Sequence, residues 1–296
     1  MVLVSSTGVI GLPLNVAAFE KHMGSLVANL SENHFAQVAE AIMTTDTVPK
    51  TVARTLAVGG REVKFLGMAK GSGMIMPDMA TMLAFILTDA QISFPELSSA
   101  LKAAVETTFN RITVDGDTST NDMVLVLANG AADNPWIEDD QHPDYGLFRD
   151  CLEEICKELA LKIVEDGEGA TKLITIRVCG AKEDHEAEKM ARTVANSSLV
   201  KTAFFGEDAN WGRILGAMGR SGIRFNPDRV DIAFGDVVIV RNGVAQGSEA
   251  EKKATQVLKN NQFTVCIDLQ DGTGCEEVYT CDLSIDYVKI NADYRS

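Results

Sequence analysis

A mixed α/β fold is predicted by three features of the sequence. Helical and strand-like patterns alternate along its length, no segment repeats, and hydrophobic residues make up 46% against 23% charged. At 296 residues, the chain is long enough for about two domains.

The elements are read in order. Val2 to Ser5 reads as a short buried strand, followed by the small-residue turn Ser6-Thr7-Gly8 and the breakers Gly11 and Pro13. Apolar spacing at Leu14, Val16, Phe19, Leu26, Val27 and Leu30 predicts a helix, and Asn33 to Ile42 predicts a second. Thr51 to Val58 and Arg61 to Ala69 alternate as a hairpin around Gly59-Gly60. Met82 to Leu87 is an apolar strand. Ser93 then caps a helix with Pro95 in its first turn, running to about Thr108. Arg111 to Val114 and Met123 to Ala128 flank the polar loop Asp115 to Asp122. Gly130 to Gly146, rich in Asp, Asn and Pro, is the best linker candidate, and it sets the expected domain boundary: residues 1–134, then 135–296. Beyond it come a helix over Phe148 to Leu161, a strand over Lys172 to Val178 and a charged helix over Glu183 to Asn196. The last third adds strands at Arg229 to Val240 and Phe263 to Leu269, a helix near Ser248 to Lys259, and a final strand through Val288 and Ile290.

Composition excludes several functions. With 27 Lys and Arg against 42 Asp and Glu, the net charge of −15 argues against a nucleic-acid binder. The N-terminus has no cationic segment or long apolar core, so it does not read as a signal peptide, and Met74 to Leu87 is too short and interrupted to span a bilayer. The six cysteines, at 151, 156, 179, 266, 275 and 281, form no C-x-x-C and read as reduced, packed thiols of a cytoplasmic protein.

The densest chemical signal is Lys70-Gly71-Ser72-Gly73 leading through Pro77-Asp78-Met79 to Ala80-Thr81. It is a poor phosphate loop, because Lys70 precedes the first glycine instead of following the second. Thr81 offers another reading. A threonine hydroxyl is a weak nucleophile unless a base sits beside it, and its own α-amine, freed by cleavage before it, is such a base. The small Ala80 would leave the scissile carbonyl open to attack. Taken alone, a buried strand threonine accounts for the residue better. Asp115 to Asp122 alternates oxygen side chains as calcium loops do, but lacks glycine at position six and glutamate at position twelve. A loop that satisfies its own backbone fits better.

Seven blocks together resemble the ornithine acetyltransferase (glutamate N-acetyltransferase) family of arginine biosynthesis. They are Ser5 to Gly11, Ala41 to Asp46, Met68 to Ile75, Pro77 to Leu83, Ile112 to Asp122, Phe205 to Ile214 and Ile290 to Ser296, in family order. Asp166 to Lys172 belongs to the same resemblance, with no chemistry readable from its composition. The resemblance implies a layered αββα-type sandwich with a smaller C-terminal α/β domain. It also implies self-cleavage between Ala80 and Thr81, with Thr81 becoming the nucleophile. Thr7 and Gly8 match the oxyanion-hole pair; a Thr-Gly turn can present a hydroxyl and an amide to a developing oxyanion. Thr44, Lys70, Thr81, Glu207, Asn291 and Ser296 match substrate-holding positions, where one cation and one carboxylate suit an amino acid. Trp211, near Glu207, would either wall the pocket or pack.

The implied reaction moves acetyl from N2-acetyl-L-ornithine to L-glutamate, with no cofactor or metal and with acetyl-coenzyme A as a candidate co-substrate. The implied assembly is a heterotetramer of two copies of each cleaved chain, with no nucleic-acid or membrane partner. Family members carry a sizeable segment ahead of the Ser-Thr-Gly turn, and the sequence here begins almost at that turn. Two alternatives stand beside this reading. One is an N-terminal-threonine amidohydrolase or aminopeptidase, in which water accepts the acyl group. The other is an inactive fragment that serves only as a binding subunit.

Overall fold

A computed structural model describes residues 3–76 and 82–293. Ala80, Thr81 and Ser296 lie outside the described residues. So does most of the Pro77 to Leu83 block.

The described residues form two sheets with helices laid against them, which is the mixed α/β class expected. The first sheet is built on the predicted hairpin. β1 (Lys50–Val58) and β2 (Arg61–Lys70) pair antiparallel, joined by Gly59 and Gly60 at φ 55° and 80°. Two consecutive left-handed residues make the turn whose twist matches the strands, and glycine adopts it without Cβ strain. β3 (Leu83–Thr88) pairs antiparallel with β2, and β4 (Met123–Ala128) runs parallel to β3. Parallel neighbours need a crossover, and α3 (Phe94–Thr107) supplies it. Ser93 caps α3, its hydroxyl accepting from the Glu96 amide, with Pro95 in the first turn.

α4 (Tyr145–Glu165) packs against β1 and β2, with Phe148 meeting Phe65 at 5.3 Å between ring centroids. Its buried face, Phe148, Leu152, Ile155, Leu159 and Ile163, belongs to the first core. Residues 145–164, grouped by sequence with the C-terminal half, therefore pack with the first sheet. The predicted linker is also structured: Ile137 is fully buried and bridges Ile92, and its carbonyl accepts from the Ser93 amide at 2.9 Å.

The second sheet has the order β10-β5-β9-β6-β7-β8. It comprises β5 (Leu173–Ala181), β6 (Asp231–Phe234), β7 (Val237–Arg241), β8 (Val244–Ala245), β9 (Gln262–Asp268) and β10 (Gly274–Cys281). β5 and β9 run parallel, and the other pairs are antiparallel. α5 (Asp184–Ala195) and α8 (Ser248–Leu258) lie against it, and α7 (Trp211–Gly219) packs on α5. This second core closes around Phe204, Phe234 and Phe263, whose rings meet at 5.5–6.4 Å. Phe204 lies on α6 (Ser198–Phe205). Sequence periodicity did not resolve α6, α7 or β10, because α6 and α7 are only 8 and 9 residues long.

Several expectations are corrected. Residues 3–9 form no strand, and Leu3 and Val4 are exposed; a strand needs a neighbouring ladder, and none lies alongside among the described residues. The final segment is a helix, α9 (Ile285–Asp293), not a strand. The Ser284 hydroxyl accepts from the Asp286 and Tyr287 amides, so a local cap decides the conformation over the apolar Val288 and Ile290. The cysteines are not all free: Cys179 and Cys275, cross-strand partners on β5 and β10, form a disulfide. Cys156 and Cys281 are buried free thiols, and burial pushes Cys156 up to about 12.

The first helix, α1 (Val16–Ala28), forms as predicted, with Asn15 capping it. The second becomes a 3₁₀ turn, Glu32–His34, running into α2 (Phe35–Ala41). No helix among the described residues is long and apolar enough to cross a membrane.

Candidate active site

The end of β2 carries Lys70 into the interior. Only 4% of its surface is exposed, and its Nζ donates to the Thr7 hydroxyl at 3.2 Å. Burial pulls the Lys70 ammonium below its usual range, and the carboxylates of Asp46 and Asp122 oppose that. The turn that follows rests on a buried ionic network. The Asp46 carboxylate accepts from the Gly71 amide at 2.7 Å, the Thr44 amide at 3.0 Å and Lys50 Nζ at 2.6 Å. Lys50, 1% exposed, also donates to Asp166 at 2.5 Å. Burial works against the Asp46 charge, but the Gly71 amide and Lys50 outweigh it and hold the carboxyl below the usual range. Every charge in this network is hydrogen-bonded, which is the condition for a buried ion pair to be tolerated.

A cavity of about 180 Å³ opens above this turn. Its lining brings together Thr7, Gly8, Thr44, Lys70 and Asn291 from segments far apart in sequence. Five of the expected site residues thus share one space. Asn291 reaches it from the last turn of α9, where its Nδ2 donates to Glu168 Oε2 at 2.7 Å.

Glu207 does not line this cavity. It sits on the turn after α6 at φ 55°, partly exposed, with Oε1 3.8 Å from Lys172 Nζ. Trp211, four residues on, packs against the second core. Thr81 and Ser296 lie outside the described residues, so the geometry places neither.

The structure adds residues that sequence reasoning did not assign. Asp115 lines the cavity and spends both carboxylate oxygens on the chain, accepting from the Met74 amide at 2.6 Å and the Ile75 amide at 2.9 Å. The loop from Asp115 thus satisfies its neighbours' backbone. Burial raises the Asp115 carboxyl above its usual range. Asp122 stands where β4 begins, beside the start of β3. Neither of its oxygens has a hydrogen-bond partner in standard geometry among the described residues. Burial pushes its carboxyl up to about 7, against the opposing pull of the Met82 backbone and Lys70. Glu168, from the run Asp166 to Lys172, is 7% exposed and faces the same cavity. The sequence placed it in a family block but gave it no chemistry.

An α/β scaffold that sets a buried lysine and a Thr-Gly turn against carboxylates and an amide in one small cavity has the charge pattern to hold a small zwitterion. The comparisons with known proteins narrow the class. The ArgJ family model matches residues 1–296, and the chain belongs to that family. It is 64% identical over 295 residues to the arginine biosynthesis bifunctional protein ArgJ of Desulfotalea psychrophila, with the whole of this chain matching 75% of that protein. The protein of the same name from Geobacter sulfurreducens is 52% identical over the same share of both. A crystal structure of the Bacillus halodurans arginine biosynthesis bifunctional protein matches with a TM-score of 0.69 and 47% identity, covering 72% of this chain and all of that one.

Proposed function

We propose that the chain moves an acetyl group from N2-acetyl-L-ornithine to L-glutamate through an acetyl ester on Thr81, a transferase step of arginine biosynthesis. Membership of the family over the full chain supports the reaction class. The observation that carries the site is the convergence of Thr7, Gly8, Thr44, Lys70 and Asn291 on one cavity, with Lys70 bonded to Thr7.

The steps follow from these groups. The chain is cut between Ala80 and Thr81, and the new α-amine of Thr81 takes the proton of its own hydroxyl. The oxygen attacks the acetamide carbonyl, and the Thr7 hydroxyl and Gly8 amide stabilise the tetrahedral oxyanion. The C–N bond breaks and ornithine leaves with the proton; glutamate's neutral amine then attacks the ester, the acyl C–O bond breaks, the Thr81 oxygen takes the amine's proton through its own α-amine, and acetylglutamate leaves. Lys70 meets the α-carboxylate common to both substrates as a point charge, with Thr44 and Asn291 beside it. Glu207, which matches a further substrate-holding position of the family, stands outside the cavity lining.

The same reading takes the enzyme as cytoplasmic and cofactor-free, assembled from two copies of each cleaved chain, with acetyl-coenzyme A as a second acetyl donor. Labelled acetylornithine tests it. Glutamate-dependent appearance of acetylglutamate supports the transferase; release of free acetate favours the hydrolase reading; no turnover by a cut, folded chain overturns both. Intact-mass measurement reports the cleavage in the same sample.

A further inference from the structure

The run Asp166 to Lys172 has no part in the steps above, yet the fold ties it down at both ends. Near its start, the Glu168 amide donates to the Ser72 carbonyl at 2.9 Å, in the turn that follows Lys70. At its end, the Asp282 carboxylate accepts from the Thr171 hydroxyl at 2.5 Å, the Thr171 amide at 2.8 Å and the Lys172 amide at 3.1 Å. The backbone of Lys172 is thus fixed. Its side chain is 7% exposed, and Nζ faces two acceptors: the Leu258 carbonyl at the end of α8, 2.8 Å away, and Glu207 Oε1, 3.8 Å away. A carbonyl alone does not balance a buried ammonium, so burial calls for a carboxylate. Among the described residues, Glu207 is the carboxylate within ion-pair distance of Lys172.

Glu207 is held from its own side as well. Its amide donates to the Phe204 carbonyl at 3.2 Å, and the Asp208 amide donates to the Ala203 carbonyl at 2.9 Å, closing the end of α6. That turn sets Glu207 at φ 55°, in the left-handed region that glycine fills without strain. A glutamate there costs backbone strain, so its presence points to a use for the carboxylate. The ion pair with Lys172 engages Oε1, and the partly exposed group keeps Oε2 for a ligand.

We infer that Lys172 is a positioning residue for the reaction: its buried ammonium, fixed through Asp282 and Leu258, sets the direction of the Glu207 carboxylate. Lys172 itself touches no substrate. This role rests on the acetyl-transfer reading above, in which Glu207 fills the substrate-holding position that it matches in the family and meets an ammonium of the substrate.

The test is steady-state kinetics of glutamate-dependent transfer from labelled acetylornithine by the full chain, with circular dichroism to report folding. Glu207→Gln should raise the KM for acetylornithine about tenfold, the worth of one charged hydrogen bond. Lys172→Gln keeps a donor for the Leu258 carbonyl but loses the charge. It should raise the same KM about three- to tenfold with kcat within about twofold, and Lys172→Arg, which keeps the charge, should recover part of the loss. In the Glu207→Gln background, Lys172→Gln should add less than about twofold, because the carboxylate it aims has lost its charge. A lysine that only supports the fold would multiply KM by the same factor in both backgrounds, and that result overturns the role. So does an unchanged KM in a folded Lys172→Gln chain. A second measurement decides the matter if Lys172→Gln does not fold. With lysines isotopically labelled at Nζ, the Lys172 resonance, identified by its loss in Lys172→Arg, should shift on Glu207→Gln; a resonance that stays in place overturns the pairing. Acetyl transfer with independent KM factors sinks this role alone, whereas a folded, cut wild-type chain that transfers no acetyl sinks the reaction on which it rests.

Discussion

The second core and the N-terminal arm are held in opposite ways. Around Phe204, Phe234 and Phe263 the chain folds a sheet against helices, and the apolar side chains are covered almost completely. From Leu3 to Val38 no residue is buried at all. α1 forms there because Asn15 caps it and its residues favour a helix, yet Phe19, Met23, Leu26 and Val27 remain exposed. What ties the arm to the site is polar, the bond from Lys70 to Thr7. The difference teaches that part of a cavity's lining can be supplied by a segment that contributes little to the core. Function and stability should therefore separate cleanly between the two regions.

The sharpest test of that separation is the pair Phe204→Ala and Phe19→Ala. Truncating a ring in the closed core should cost about 3–5 kcal/mol, from lost transfer energy and the cavity left behind. The same change on α1 should fall within about 0.5 kcal/mol. Urea unfolding monitored by circular dichroism gives both numbers. A comparable loss at Phe19 would mean that the arm is covered in solution, and would break the contrast.

Thr7→Ala turns the comparison round. Loss of one oxyanion donor should slow acetyl transfer by about 10²–10³, some 2.7–4 kcal/mol of barrier, with KM changed only a few-fold. The unfolding midpoint should not move, because Thr7 is exposed and belongs to no core. If the variant instead loses stability while its kcat holds, Thr7 is a structural tether.

A smaller effect is expected where the two roles meet. Gly73→Ala pushes a methyl against the Glu168 carboxylate, and overpacking of this kind costs about 1–3 kcal/mol. Ornithine binding should weaken along with stability. A variant that melts like wild type and binds ornithine normally would show that Glu168 is free to move aside.

The most pH-dependent change concerns Asp122. Its folded carboxyl titrates at about 7 against an ordinary value of 3.8, so the folded state binds the proton more tightly than the unfolded chain. The stability this contributes is complete below pH 3.8 and is lost as pH rises through about 7. Asp122→Asn removes that loss. Its melting temperature should exceed that of wild type by more at about pH 8 than at about pH 4. A gap that is constant with pH, or that widens toward acid, would show that Asp122 is ionised throughout.

Much of this molecule could be read from the chain. The Gly59-Gly60 hairpin, the Ser93-Pro95 helix start and α8 follow from local rules that act within a few residues: a glycine turn, a side-chain cap, a helical period. The family block Met68 to Ile75 marked a stretch that the fold brings to the cavity. Elsewhere local signals misled. Val288 and Ile290 suggested a strand, but the Ser284 cap closes a helix there. The Asp- and Pro-rich run from Gly130 reads as a linker, yet it buries Ile137 against β3's continuation at Ile92.

By itself, the sequence determined the α/β class, most elements of the first sheet and several of the residues that meet at the cavity. Periodicity, caps and turns are short-range, and motif chemistry travels with residue identity. Only the tertiary structure decided that Glu168 faces the cavity while Glu207 stands outside it, that Asp46 and Lys50 hold the turn beneath Lys70, and that α4 belongs to the first core. Glu168 and Asn291 are 123 residues apart, and Lys70 and Thr7 are 63 apart. Such pairs meet only when burial of distant apolar faces brings their segments together, and no local pattern along the chain encodes that distance.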